Sequence, residues 1–244
     1  MIDVFIEIYN RGLNVFEIDP MRDMNYRTYL LKKQGNPVKI VQTTAILDLI
    51  VKLPEFARKF FYRQQYFWLI PFETIDNQIY TFQLRGLTDR IVGNKKLHDY
   101  WILPFKKDTP PIFGFYDFED YQCDQPIILT EGTKDALALK TLYKYTVAMT
   151  TAGVSEVALS ILGKFSSKFI LAFDSDKAGL NAIQEDGLRL QKRGYRAIGI
   201  PPVGYSGVKD YGDCLLNNPT LFSLLKLRLQ TTINELNISD IPTL

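Results

Sequence analysis

The rhythm of apolar and polar positions changes near residue 124. From Pro126 onward, short apolar runs alternate with amphipathic ones. PIILTE, TVAMTT, KFILAFD and RAIGIPP read as buried strands. TKDALALKTLYKY, SEVALSILGKF and KAGLNAIQEDGLRLQKRGY read as the helices between them. Short apolar strands separated by helices predict a parallel sheet covered on both faces. The last run, LFSLLKLRLQTTINEL, predicts a closing amphipathic helix. Before residue 124 the pattern is mixed. A helical stretch is expected over about 40 to 61. WLIPF and QIYTFQL flank Asp76-Asn77 and predict a β-hairpin. Pro110-Pro111 and the acidic, aromatic GFYDFEDYQCDQP predict a connector. The expected organisation is a mixed α+β region over 1–123, an α/β domain over 124–216 and a C-terminal helical segment over 217–244.

Composition narrows the class. The chain has 244 residues, 46% of them hydrophobic and 23% charged, enough to bury a core without staples. Cys123 and Cys214 are the only cysteines and His98 the only histidine, so four-ligand zinc binding is not expected. MIDVFIEIYN lacks a signal-peptide pattern, and no apolar run reaches the ~18 residues of a membrane helix, which makes the cytoplasm the expected compartment. Net charge is +2, but it is unevenly spread. Residues 27–63 carry eight basic side chains against Asp48 and Glu55, and residues 85–107 carry six against two. Aromatic residues run through both stretches. That combination suits a phosphate backbone with stacked bases, and equally a solvated basic face over an aromatic core.

The chemistry concentrates at the strand ends. In an open α/β sheet, ligands sit beyond the carboxyl ends of the strands. PIILT runs into Glu131-Gly132, FILAF into Asp174-Ser175-Asp176, and RAIGIPP into a Gly-rich loop followed by Lys209-Asp210 and Asp213, with Asp210 and Asp213 expected to arrive on that loop. Carboxylates gathered on one rim repel unless they are protonated, separated by water or neutralised by cations. Oxygen donors without His or Cys favour Mg²⁺, with Mn²⁺ able to substitute. Ala178-Gly179 then opens a helix whose N-terminus favours anionic phosphate. Each acid also has a plain reading as a turn residue or a helix-start charge.

EGTKD at 131–135, DSDKAG at 174–179 and KDYGD at 209–213, in that order, resemble the motifs of the Toprim domain, and among Toprim proteins those of DnaG-type DNA primase cores. AGVSEV at 152–157 sits where that family has a small-residue turn. The N-terminal half is similar more loosely, through YLLKKQGNPVKIV, YFWLIPFETIDNQIYTFQLRGL and HDYWILPFKKDTPPIFGFYDF. The resemblance implies a Toprim-type parallel sheet preceded by an α+β primase subdomain, with template-directed RNA primer synthesis by two-metal nucleotidyl transfer. It implies Asp174, Asp176 and Asp210 as metal ligands and Asp213 as a further one. Glu131 would join the metal site and act as the acid/base or outer-sphere partner beside the metals, with Asp174 and Asp176 as the other catalytic residues. Arg63, Arg85, Lys95, Lys96, Lys134 and Lys209 would hold single-stranded DNA template and NTP. A replicative helicase would be a separate protein. The same acids also suit a Toprim nuclease or a silent nucleic-acid-binding replisome subunit.

Overall fold

In the computed structural model, which describes residues 1–12, 37–62, 66–86, 90–92, 95–97, 100–103, 110–150, 153–202 and 208–238, the hairpin expected around Asp76-Asn77 is formed. Strand β2 (Tyr66–Glu73) pairs antiparallel with β3 (Ile79–Gly86). Asn77 takes φ 59°, a left-handed turn conformation that asparagine tolerates, and donates its N–H to Thr74 O at 3.0 Å. These strands are central in a four-stranded antiparallel sheet of order β1-β2-β3-β6, with β1 at Lys39–Gln42 and β6 at Tyr100–Ile102. Pro71 lies in β2 beyond the last β1 pair, Lys39↔Leu69, so its missing N–H breaks no ladder there. Arg90–Val92 (β4) and Lys95–Leu97 (β5) form a separate two-stranded ribbon.

The continuous helix expected over 40 to 61 is corrected. Residues 39–42 are β1, a 3-10 turn covers Thr43–Ile46, and two short helices follow at Leu47–Ile50 and Glu55–Phe61. Strand-favouring Ile40-Val41 complete the sheet, and Pro54, as the residue before the second helix, interrupts the run. An N-terminal helix, Ile2–Arg11, was not anticipated; its Phe5 and Ile8 enter a core with Ile46, Phe61, Phe67 and Phe82. This core and both sheets above belong to the first of two compact units, Met1–Phe105.

The second unit, Lys106–Leu244, contains all four expected parallel strands: β7 (Ile127–Thr130), β8 (Thr146–Ala148), β9 (Lys168–Leu171) and β10 (Arg196–Gly199). Their order is β10-β9-β7-β8. Strands β7 and β9 are buried at every residue, which explains why they read as unbroken apolar runs. Ile127, Leu129, Val147, Phe169 and Leu171 pack with side chains from the helices Glu156–Leu162 and Lys177–Lys192. The helix Thr133–Lys140 packs against β7 and β8 and meets the helix Tyr211–Asn217, which in turn packs on Pro219–Ile238.

Residues 110–123, read from sequence as the end of the first region, pack in this second unit. Phe113 bridges Ala148 through backbone hydrogen bonds of 2.9 and 3.0 Å, and Phe115 and Phe118 enter the core of the parallel sheet. Lys140 fixes the segment. Its ammonium, fully buried, donates to Gly114 O, Asp117 Oδ2 and Lys144 O, each at 2.9 Å. The acidic, aromatic composition concealed a core segment whose polar groups are answered from inside.

Candidate active site

The sheet order places a switch point between β7 and β9. From β7 the chain steps outward to β8, then returns past β7 to β9 and on to β10. The carboxyl ends of β7 and β9 are therefore adjacent, at the position where open α/β sheets bind ligands. Glu131 follows β7 and Asp174 follows β9. One Glu131 oxygen, Oε1, is buried with no hydrogen-bond partner. Burial, and then the neighbouring Asp174 carboxylate, raise the Glu131 carboxyl above its ordinary range. Thr150, at the end of β8, steadies this corner. It holds φ 56°, a strained conformation for a β-branched residue, while donating its N–H to Glu131 O at 3.0 Å. Its hydroxyl donates to Pro111 O at 2.9 Å.

Asp174 and Asp176 are joined by a lysine. Lys209 Nζ lies 2.8 Å from Asp174 Oδ2 and 3.0 Å from Asp176 Oδ2. Asp176 also caps the helix Lys177–Lys192 by accepting the Gly179 N–H at 3.0 Å, and that bond leads the effects that lower its pKa. Asp174 is raised, chiefly by burial, with Lys209 opposing. Ser175, between them, donates its N–H to Lys209 O at 2.9 Å and so ties the two motifs together. Gly179 has no room for a side chain: a Cβ there would overlap the Asp174 carbonyl oxygen and sit 2.9 Å from the Asp174 backbone N and C.

A second lysine closes a second pair. Lys134 Nζ lies 2.7 Å from Asp210 Oδ2 and 2.9 Å from Asp213 Oδ1. The expectation that Asp210 and Asp213 arrive on a loop is corrected. Asp210 caps the helix Tyr211–Asn217 by accepting the Asp213 N–H at 2.7 Å, and Asp213 lies in its first turn. The Asp-x-x-Asp spacing is a capping signature that the glycine in KDYGD obscured. Beneath them Asp135, which no role was assigned, accepts the Gly212 N–H at 3.0 Å. Burial lifts its carboxyl to about 8, with the Asp210 charge as the next cause.

The acids and both lysines lie in the second unit, and the remaining basic candidates in the first. Arg85 is on β3, in register with Trp68 and Tyr100. Lys95 and Lys96 are on β5. Arg63, His98 and the 29–36 stretch lie outside the described residues, as does Ala152 of the small-residue turn. Among the described residues no three or more His, Cys, Asp or Glu side chains come together as a group that could hold a metal ion. The chemistry of the acids, taken singly, is of the kind that hard divalent cations take. Their donors are all oxygens, one buried Glu131 oxygen is unpartnered, and an ammonium already bridges each aspartate pair.

With this geometry in view, residues 128–215 match the family model described as Toprim-like. The second unit carries a Toprim-like domain. The match runs from β7 through the helix Tyr211–Asn217 and so takes in Glu131 and all four aspartates of the two pairs. No curated protein sequence matches the chain. Among solved structures, a DnaG primase catalytic domain bound to ssDNA superposes with TM-score 0.64 at 12% identity, covering 93% of this chain and 80% of that one. The RNA polymerase domain of Mycobacterium tuberculosis primase DnaG gives 0.62 at 17% identity, covering 93% and 82%. The chain spans 63% of the primase fragment of the bacteriophage T7 primase-helicase protein. The Toprim-like domain thus sits within a fold shared with DnaG-type catalytic cores.

Proposed function

We propose that this chain is a DNA primase catalytic core, joining NTPs into a short RNA primer on single-stranded DNA. The observation that carries the reading is the meeting of Glu131, Asp174 and Asp176 at the β7–β9 switch point of a Toprim-like domain. The shared fold of DnaG-type cores, one of them bound to ssDNA, supports a single-stranded template. In the reaction, the 3′-oxygen of one nucleotide bonds to the α-phosphorus of the next. The bond from that phosphorus to the β-phosphate oxygen breaks, and pyrophosphate leaves. Asp174, Asp176 and Asp210 would hold Mg²⁺, or Mn²⁺ in its place, with Asp213 as a further ligand. Two such ions, when bound, supply neutralisation of the charge that develops on the phosphoryl oxygens.

The protein's own groups supply the rest. Glu131, its pKa raised by burial, is suited to receive the proton of the attacking hydroxyl. Lys134 and Lys209 bring positive charge to the rim where the triphosphate would lie. Arg63, Arg85, Lys95 and Lys96 would track the template backbone and the NTP. The helicase is proposed to be a separate protein and the setting cytoplasmic; among the described residues no helix is long and apolar enough to cross a membrane. The test is NTP dependence on one substrate. End-labelled single-stranded DNA is incubated with protein and Mg²⁺, with and without NTPs. The proposal expects intact DNA and new RNA only when NTPs are present. Shortening of the DNA without NTPs overturns it in favour of a nuclease.

A further inference from the structure

The two lysines make nearly the same bonds. Each ammonium bridges two carboxylates, at 2.7 and 2.9 Å for Lys134 and at 2.8 and 3.0 Å for Lys209. Their surroundings differ. The Lys134 side chain is 11% exposed and its partner Asp210 14%. Its stem lies on Gly212, where a Cβ would come within 2.8 Å of Lys134 Cγ and Cδ. Asp135 closes the floor by binding the Gly212 N–H. Moving Lys134 would empty that slot and strand Asp210 in a mostly buried position, the costly way to break an ion pair. The Lys209 side chain is 56% exposed. Its partners are Asp174, 18% exposed, and Asp176, 43% exposed. Its head group can turn into water without opening a cavity, and a pair with one end in solvent resists displacement less than one closed on both sides. Its backbone, by contrast, is held: Lys209 O accepts the Ser175 N–H at 2.9 Å.

We infer that Lys209 is the exchangeable counter-ion of the Asp174–Asp176 pair, giving way when the first divalent cation enters, while Lys134 at that stage still holds Asp210 and Asp213. The inference rests on the metal-dependent reading above. In the metal-free protein Lys209 keeps two repelling aspartates facing one another, so the pair is preformed. On exchange the ammonium leaves the carboxylates but remains tethered at the rim by its pinned backbone, available to an anionic phosphate oxygen. The Asp174–Asp176 position therefore fills before the Asp210–Asp213 position, where a resident ammonium must be expelled from a buried slot.

The full chain labelled with ¹³Cε-lysine tests this by NMR, with Lys209 and Lys134 signals assigned from K209R and K134R variants. Titration with Mg²⁺ should move the Lys209 signal to the position of a free lysine while the Lys134 signal is still in place. Calorimetry with Mn²⁺ on Lys209→Gln should show binding about three- to tenfold tighter than wild type, the competing ammonium being gone. A Lys209 signal that stays put while Mg²⁺ binds, or an unchanged Mn²⁺ affinity in Lys209→Gln, overturns the inference and spares the metal site. If neither protein takes up Mn²⁺, the metal-dependent reading fails and the inference with it. If Lys209→Gln does not fold, the wild-type titration decides alone.

Discussion

Two glycines on one helix should respond oppositely to the same substitution. Gly179 and Gly187 both lie in Lys177–Lys192. A methyl at Gly187 would meet only Leu171 Cδ1, at 3.9 Å, an ordinary contact. Gly187→Ala should therefore gain the helix preference of alanine, about 0.5–1 kcal/mol. A methyl at Gly179 would overlap the Asp174 carbonyl oxygen and crowd that residue's N and C at 2.9 Å. Backbone cannot swing aside as a side chain can, so overpacking of about 1–3 kcal/mol applies and outweighs the propensity gain. A net loss of about 1–2 kcal/mol corresponds to a Tm about 2–8 °C lower, against a rise of about 1–4 °C for Gly187→Ala. Scanning calorimetry of both variants beside wild type is the assay. A Gly179→Ala variant as stable as wild type would refute the claim that this helix start packs directly on the Asp174 backbone. The consequence for chemistry is that Gly179→Ala also shifts Asp174, so primer synthesis should fall with it while Gly187→Ala stays active.

Asp174→Asn should cut primer synthesis by about a hundredfold or more and leave single-strand binding intact, checked by product gels and fluorescence anisotropy. Lys140→Met leaves Gly114 O, Lys144 O and Asp117 without their buried donor, so urea unfolding should show a loss of about 2–4 kcal/mol. Burial raises Glu73 to about 7 from its usual 4.5. Between those values the unfolded chain has released a proton that the folded one keeps, so the group's contribution to stability falls as pH rises from 4.5 towards 7. Glu73→Gln should flatten that slope in unfolding curves taken across the window; an unchanged slope would show that Glu73 is not its source.

The parallel half was legible because its signals are local and redundant. Each strand has an apolar centre, helices separate the strands, and Glu131 and Asp174 follow strand ends where such sheets bind ligands. Other features depended on partners far away in the chain. Lys134 and Asp210 are 76 positions apart, and only the folded sheet brings them to 2.7 Å. Thr150 looked like strand continuation; its left-handed turn under Glu131 is imposed by the backbone bond between them. Residues 40–42 read in sequence as the start of a helical stretch, and sheet pairing with β2 overrode that preference. The segment 110–123 looked like a linker because its acids and prolines are surface-like, whereas Lys140 supplies a buried cation for Asp117.

Primer synthesis itself tests the central claim most directly. Wild-type protein and an Asp174→Asn/Asp176→Asn double variant are each incubated with single-stranded DNA of random sequence, labelled NTPs and Mg²⁺ or Mn²⁺. Short labelled RNA from wild type and none from the variant is the predicted result. Labelled RNA from both proteins, or none from wild type although it binds the metal and the single strand, would contradict primer synthesis at this acidic rim.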